Sequence, residues 1–263
     1  MKVITSVEAR MGSSRLPGKT LASINGVPML RVIVERLRPA KGVDDIVVAT
    51  SDSPENDVLE ELCQALGVHC FRGDENDVRA RVLCAAKAHG ADVLVKLTGD
   101  NPLVDHYLTE AMLERFFTMD CDLLTNGAME YSRNWSEPRT FPIGCNIQVL
   151  KRSVLEDTAR RFPSSRFKEH VTLDILAHPE LYRLEPFHAR GDWAPLHHPE
   201  WRFTVDTEAD LAFVRAVFQE LGEGDLSFRL LEVAELLNRR PDLAAINAGT
   251  RQHNPLKSGW EKA

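Results

Sequence analysis

The sequence of 263 residues is short of the features that mark several protein classes. Its five cysteines are scattered and contain no Cys-x-x-Cys pair, so neither a disulfide scaffold nor a cysteine-based zinc site is expected. It has no apolar run of about eighteen residues, the length that a membrane-spanning helix needs. The first residues are predicted to form a strand and lack the apolar core of a signal peptide. We therefore expect a cytoplasmic protein without a membrane partner.

The chain as a whole also lacks a net positive charge, because 39 Asp or Glu outnumber 32 Lys or Arg. The net charge is −7 and the pI is near 5.7, which argues against a protein that coats nucleic acid. Residues 1–43 are the exception, since they hold eight Lys or Arg against two Asp or Glu. A cationic end on an acidic protein favours a bound small anion over general affinity for nucleic acid.

The phosphate-binding motifs Gly-x4-Gly-Lys-Ser/Thr and Gly-x-Gly-x-x-Gly are absent. Instead, the apolar residues 3–7, a predicted strand, run into the sequence EARMGSSRLPGK at residues 8–19. Arg10, Arg15 and Lys19 are its three cations, and no acid follows Glu8. Glycine frees backbone N–H groups, and such groups with Arg and Lys around them suit a polyphosphate. The alternative is a basic turn on the surface.

Strand and helix signals alternate through the first half of the chain. Strands are predicted at 3–7, 45–50, 68–71 and 92–97, with helices at 28–37, 57–66, 78–89 and 107–117. This rhythm predicts an α/β protein with a mostly parallel, doubly wound sheet. Later we expect strands at 143–150 and 201–205, and helices at 152–161, 168–177, 208–221 and 226–237.

One domain is expected over residues 1–247, ending in a helical region. Within it, residues 125–200 form a smaller inserted subregion with many polar and aromatic residues, predicted to be a lid or acceptor site. The same subregion is expected to form the interface of a homodimer, because its large side chains would otherwise be exposed. Residues 248–263 are predicted to be a flexible tail.

Two aspartates follow predicted strands. Asp100 comes after strand 92–97 and Asp206 after strand 201–205. In open α/β sheets, ligands bind at the carboxyl ends of the strands. Two carboxylates there could hold Mg²⁺ against phosphate oxygens. The alternatives are a turn before Pro102 for Asp100 and a helix N-cap for Asp206.

These segments together resemble one enzyme family, the spore-coat-polysaccharide (SpsF-type) cytidylyltransferases, which are related to the synthetases of CMP-sugar acids. The resemblance covers most of residues 1–247. It rests on ARMGSSRLPGK (9–19), G-x-PML (26–30), IVVATS (46–51), RG-x-E-x-DV (72–78), LTGD-x-PL (97–103), EHVT (169–172) and TVDT (204–207). It implies a Rossmann-like nucleotide-diphospho-sugar transferase fold and transfer of CMP from CTP to an acceptor, with release of pyrophosphate.

The resemblance also implies residue roles. Arg10, Arg15 and Lys19 would hold the CTP phosphates and, with Asp100, carry catalysis; Asp100 and Asp206 would bind Mg²⁺. The segment 74–81 would border the base and ribose. The remaining nucleotide contacts are assigned to Ala9, Gly12, Ser13, Asp77, Arg81 and Thr98. For Arg81 the alternative is a surface ion pair with Asp77.

The expected acceptor is a small anion. Family members often carry Gly-x-Asp-x-Glu-Val where this chain has amides at Asn146 and Gln148. Amides donate hydrogen bonds to an anion without repelling it, although local packing explains them equally well. Asn126 and His170 complete the predicted acceptor residues, and a packing role for His170 stays open. A sugar acid for a surface glycan is favoured, with a phosphonate second.

Two rival functions remain open at this stage. One is a nucleotidyltransferase that uses another nucleotide and a sugar 1-phosphate. The other is a non-catalytic nucleotide-binding module on the same fold. The presence of both aspartates and all three loop cations argues against the second.

Overall fold

The computed structural model describes residues 1–127, 138–165, 167–222 and 226–251. Its main sheet contains β1 (Val3–Glu8), β4 (Asp45–Ser51), β5 (His69–Gly73), β6 (Val93–Thr98), β7 (Leu123–Thr125), β8 (Gln148–Lys151) and β9 (Leu184–Pro186). Strands β2 (Ser23–Ile24) and β3 (Val27–Pro28) form a separate antiparallel pair. The order in the main sheet is β5-β4-β1-β6-β8-β7-β9.

The strands on the β5 side of the sheet, β5, β4, β1 and β6, run parallel. Strand β8 is antiparallel to both β6 and β7, and β9 is parallel to β7. The predicted α/β fold with a mostly parallel sheet is confirmed. Its strand order reverses around β1, which has β4 on one side and β6 on the other, and such switch points form ligand crevices.

Helices cover both faces of the sheet. They are α1 (Met29–Leu37), α2 (Asp57–Leu66), α3 (Val78–Ala88), α4 (His106–Thr118), α5 (Arg152–Arg161), α6 (Leu173–Ala177), α7 (Glu208–Leu221), α8 (Leu230–Arg239) and α9 (Pro241–Ala245). In the part of the chain that the structure describes, no helix is long and apolar enough to cross a membrane.

Alternation along β1 divides the core into two clusters. Val3 and Val7 pack into the cluster that contains residues of α1, α4, α7 and α8. Ile4 points to the opposite face, into the cluster with residues of α3, α5 and α6. Successive side chains of a strand point to opposite faces, so Ser6 and Glu8 continue the α3 face. This parity decides which side chains reach the site.

The carboxyl-terminal helices are tied to the sheet domain by buried polar contacts. Arg36 on α1 donates hydrogen bonds to the carbonyl oxygens of Val104 (2.8 Å) and Phe228 (2.9 Å). The Asp105 carboxylate accepts one from the Leu230 amide (2.6 Å). Buried polar groups need such partners, so these bonds fix where α8 begins. Residues 252–263 of the predicted tail lie outside the described residues.

Three predicted elements were wrong. Predicted strand 143–150 is a strand only from Gln148 onwards, because Gly144 at φ +97° turns the chain before it. Residues 201–205 form no strand of the sheet and make a single isolated bridge between Ile143 and Arg202. Predicted helix 168–177 is limited to α6, since residues 167–172 are turns.

The described part of the predicted subregion 125–200 is continuous with the main sheet. Its strands β8 and β9 extend the sheet beyond β6, and α5 and α6 cover one face. Residues 128–137, where part of the predicted lid falls, lie outside the described residues. The homodimer stays a prediction.

Candidate active site

A cavity of about 630 Å³ opens at the carboxyl ends of β1 and β6. Its wall is formed by the 9–19 loop, the segment 98–101, the segment 143–148, the turns at 169–172 and the residues before α7. Most of the predicted site residues line it: Ala9, Arg10, Gly12, Ser13, Arg15, Lys19, Arg81, Thr98, Asp100, Asn146, Gln148, His170 and Asp206. Tertiary structure therefore brings together segments far apart in the chain.

The 9–19 loop is held by side chains from outside it. The Asn56 side-chain oxygen accepts a hydrogen bond from the Met11 amide (2.8 Å), and the Thr20 hydroxyl donates one to the Arg10 carbonyl (2.7 Å). Gly18 adopts φ +71°, a left-handed conformation that favours glycine. It turns the chain into a short 3-10 turn that starts at Lys19. The loop thus presents its cations from a fixed backbone.

Lys19 is the centre of the charged cluster in the cavity. Its Nζ lies 2.9 Å from Asp100 Oδ2, 2.8 Å from Asp206 Oδ1 and 2.9 Å from the Val205 carbonyl oxygen. Burial alone would lower the pKa of Lys19, but the two carboxylates outweigh it and raise the pKa. Lys19 is therefore held as a cation between the two predicted metal ligands.

Asp206 contacts two further cations. Its Oδ1 lies 2.9 Å from Arg15, and its Oδ2 lies 2.7 Å from Arg202, which also binds Asp210. The cap of α7 is the neighbouring Thr207, which forms a capping box with Asp210. Because Thr207 and Asp210 cap the helix, the Asp206 carboxylate is not needed as a cap, and it lines the cavity. Burial would raise the pKa of Asp206, but Lys19, Arg15 and Arg202 together lower it.

This ion cluster predicts a pH-dependent stability contribution. A carboxyl with a lowered pKa stabilises the fold above its ordinary pKa, and the contribution is lost as the pH falls through the folded-state pKa. We expect Asp206→Asn to lower the free energy of unfolding by about 3 kcal/mol near pH 7, since it removes one partner of a buried ion cluster. The gap should shrink below about pH 4.

Urea unfolding of both proteins at a series of pH values measures that gap. The matched control is Asp52→Asn, at an exposed position just after β4, which should cost little at any pH. A gap that stays constant down to about pH 3 would contradict an ionised Asp206.

The positions of the Asp100 and Asp206 carboxylates are compatible with a bound Mg²⁺ ion. Both carboxylates approach one Nζ atom, so they face a common point, and the Val205 carbonyl oxygen faces it too. Mg²⁺ prefers oxygen ligands and is often held by one or two carboxylates plus substrate phosphates. Within the described ranges no group of three or more His, Cys, Asp or Glu side chains could hold a metal. Asp100 and Asp206 therefore fit a Mg²⁺ ion whose remaining ligands are substrate and water.

Arg10 and Arg81 extend the cationic wall. Arg10 lies 3.0 Å from Glu75 and 3.3 Å from Glu169, and both partners are partly exposed, so phosphate could replace them at small cost. Arg81 is buried and donates to the Asp74 carbonyl oxygen (2.7 Å). Burial lowers the pKa of Arg81, with partial compensation by Glu8 and Glu75. The surface pair with Asp77 that was weighed for Arg81 does not form.

Two predicted site residues are not among the described residues that line the cavity. Asp77 caps α3 by accepting the Ala80 amide (2.8 Å) and pairs with Lys168 (2.9 Å). Asn126 is fully buried and bonds the Cys145 carbonyl and the Ile147 amide. Both side chains are engaged in holding backbone segments, and their predicted ligand contacts stay predictions.

The other predicted acceptor residues do face the cavity. Asn146 accepts a hydrogen bond from Arg139 (2.9 Å), and Gln148 accepts one from the Thr172 hydroxyl (2.9 Å). With its oxygen taken, the Gln148 amide group still has N–H donors to offer. His170 also lines the cavity and lies in the turns at residues 167–172, not in a helix as predicted.

Glu8 and Lys96 also line the cavity, although neither was predicted from the sequence as a site residue. Each lies inside or at the end of a buried strand, where a charged side chain is uncommon. Both have the parity of the α3 face. That pattern was the available signal, because a charge inside an otherwise apolar strand needs a partner or a ligand.

The chain is similar to known proteins in both sequence and fold. The family model described as "Cytidylyltransferase" matches residues 4–138. The spore coat polysaccharide biosynthesis protein SpsF of Bacillus subtilis is 35% identical over 248 residues, which cover 92% of this chain and 96% of that protein.

Two solved structures extend the comparison. A cytidylyltransferase from Leptospira borgpetersenii superposes with a TM-score of 0.83 at 28% identity, covering 96% of this chain and 100% of the other. A CMP:2-keto-3-deoxy-manno-octonic acid synthetase, solved with CTP, gives 0.60 at 25% identity and covers 84% and 100%. The predicted family is confirmed: the chain belongs to the cytidylyltransferases.

Proposed function

We propose that this protein transfers CMP from CTP to a small acid in a Mg²⁺-dependent reaction that releases pyrophosphate. The observation that carries the proposal is the Lys19 cluster, in which one ammonium lies within 2.9 Å of oxygens from Asp100, Val205 and Asp206. With Arg10 and Arg15 beside it, the cluster can bind a polyphosphate at one end of the cavity.

The chain's residues supply charge and alignment. An acceptor oxygen attacks the α-phosphorus of CTP, the bond from that phosphorus to the bridging oxygen breaks, and pyrophosphate leaves with the electron pair. If the attacking oxygen belongs to a hydroxyl group, its proton passes to water. Arg10, Arg15 and Lys19 stabilise the negative charge that gathers on the leaving group. Asp100 and Asp206 would hold Mg²⁺, which would supply charge neutralisation at the phosphate oxygens.

An acid acceptor is supported by the wall beyond the phosphate site. Asn146, Gln148, His170 and Lys96 all line this part of the cavity, which therefore offers N–H donors and positive charge to an anion. The synthetase similar to this chain acts, by its name, on 2-keto-3-deoxy-manno-octonic acid. We therefore favour a sugar acid as acceptor over a phosphonate.

Nucleotide-dependent stabilisation tests the first half of the proposal. Thermal unfolding is measured with CTP, UTP, GTP or ATP, each with and without Mg²⁺. A ligand that binds only the folded state raises the melting temperature by mass action. We expect the largest rise with CTP and Mg²⁺, and a smaller one when EDTA removes the metal. Equal shifts with all four nucleotides, or a larger one with another nucleotide, would contradict cytidylyl transfer.

Product formation tests the second half. Pyrophosphate release and CMP-conjugate formation are measured with CTP, Mg²⁺ and a panel of sugar acids, phosphonates and sugar 1-phosphates. We expect turnover with at least one sugar acid. Turnover confined to sugar 1-phosphates would assign the reaction to the rival class.

A further inference from the structure

Glu8 and Lys96 form a charged pair in the cavity, outside the Lys19 cluster. Lys96 Nζ lies 3.3 Å from Glu8 Oε1, and the two side chains are 14% and 12% exposed. Among the residues that the structure describes, Oε1 of Glu8 is buried without a hydrogen-bond partner, so the contact with Lys96 is an ion pair of imperfect geometry. A buried oxygen left in this way is a cost to the fold that calls for an explanation.

The pair is costly for the protein to maintain. Burial raises the pKa of Glu8, and the charges of Lys96 and Arg81 only partly offset that rise. Two charges taken out of water at 3.3 Å without full hydrogen bonding contribute little to stability. An apolar pair at these strand positions would stabilise the sheet at least as well. The pair therefore fits binding better than it fits folding.

Sheet register places the pair beside the predicted acceptor wall. Lys96 on β6 is directly opposite Gln148 on β8, and Glu8 on β1 is opposite Thr98 on β6. Directly opposed side chains in a sheet lie about 5 Å apart. Gln148 is in turn bonded to Thr172, next to His170. Lys96 is thus a cation of the cavity that lies directly opposite Gln148, one of the predicted acceptor residues.

We propose that Glu8 and Lys96 together bind the acceptor: Lys96 binds its acid group, and Glu8 accepts a hydrogen bond from a neighbouring hydroxyl or amino group. The inference rests on the proposed function and adds the substrate class, an acid that carries a hydrogen-bond donor close to its anionic group. A ligand of this kind provides an additional polar contact to both Lys96 and Glu8. The acid group shares the ammonium of Lys96, and the donor binds the part of the Glu8 carboxylate that lines the cavity.

The cytidine part of CTP is the other possible occupant. The segment 74–81, expected to border base and ribose, belongs to the β5–α3 side of the cavity, whereas Lys96 faces β8 on the opposite side of β1. Lys96 therefore lies towards the acceptor side, whereas Glu8, whose charge also acts on Arg81, lies between the two sides. A change in the KM for CTP upon substitution would reveal the cytidine alternative.

Steady-state kinetics with CTP and the best sugar acid of the panel test the inference. We expect Lys96→Met to raise the KM for the acid about tenfold or more, because a hydrogen bond to a charged group is lost. The KM for CTP should change less than about twofold. Lys96→Arg should recover part of the loss, and Glu8→Gln should raise the KM for the acid by a smaller factor.

Two controls separate binding from structure. Lys151→Met removes a similar ion pair on β8, to Asp122 at 3.2 Å and away from the cavity, and should leave both KM values unchanged. The carboxamide of the same acid removes the charge from the ligand instead. If Lys96 binds the acid group, the unaltered protein and Lys96→Met should show nearly the same KM for the carboxamide.

The outcomes distinguish this inference from the proposed function. A KM for the acid that Lys96→Met leaves unchanged, or a rise confined to CTP, would overturn the inference while CMP transfer stands. An equal loss of affinity for the acid and its carboxamide would also overturn it. Absence of transfer by the unaltered protein to every acid in the panel would overturn both.

Discussion

Asp100→Asn is expected to lower kcat/KM for CMP transfer by about 10²–10³-fold. The asparagine is neutral, so it binds Mg²⁺ poorly and leaves Lys19 with a single carboxylate partner. The fold should survive, because Asp100 is partly exposed and its Oδ1 accepts the Thr98 hydroxyl at 2.7 Å, a bond that the asparagine oxygen can retain. Pyrophosphate release at varied CTP and Mg²⁺ measures the effect, and thermal unfolding without ligand checks the fold.

Asp92→Asn is a matched control at the other end of the same strand. Asp92 comes just before β6 and accepts the Lys2 amide at 2.8 Å, whereas Asp100 follows β6 in the cavity. The control should keep nearly full activity. Near-normal turnover by Asp100→Asn would contradict its assignment as a magnesium ligand. A melting temperature that collapses in Asp100→Asn but not in Asp92→Asn would instead assign Asp100 a structural role.

Lys19→Met is expected to reduce kcat/KM by about 10²-fold or more and to abolish most of the stabilisation by CTP. The substitution removes the cation that touches both aspartates. It should also increase the effect of Mg²⁺ on the melting temperature. Without the ammonium, the carboxylates of Asp100 and Asp206 are free to take a divalent cation, so Mg²⁺ alone should raise the melting temperature of Lys19→Met more than that of the unaltered protein.

Lys19→Arg should not restore activity. The Lys19 side chain is 14% exposed and its ammonium lies between three oxygens, a space that suits a compact charge and not a planar guanidinium. Lys2→Met, which removes an exposed ion pair with Asp45 at the opposite end of β1, is the control and should behave like the unaltered protein. Equal Mg²⁺ shifts in Lys19→Met and the control would contradict a shared site for ammonium and metal.

Local sequence patterns predicted the first half of the fold well. Strands 3–7 and 45–50 and helix 57–66 agree with β1, β4 and α2 to within a residue or two. These elements are bounded by strong local signals, such as Gly67 in the left-handed conformation after α2. Burial on both faces of a parallel sheet also leaves a continuous apolar run that is easy to recognise.

The second half was predicted less well, because its backbone is decided by distant partners. Residues 201–205 look like a strand, yet Val205 gives its amide to the Asp100 carbonyl at 2.8 Å instead of to a sheet neighbour. Gly144 closely approaches the same segment, since an added Cβ would lie 2.2 Å from the Thr204 backbone nitrogen. No local pattern shows such a crossing of two non-adjacent segments.

The sequence by itself determined the α/β class, the cationic loop and the family, since each depends on residues close together in the chain. Only the tertiary structure decided that Lys19 lies between Asp100 and Asp206, that Asp77 and Asn126 hold backbone instead of lining the cavity, and that Glu8 meets Lys96. Strand parity and sheet register bring Glu8 to Lys96. The other contacts are made by loops and helix ends that lie far apart in the chain, and they depend on how the whole domain packs, which no single segment encodes.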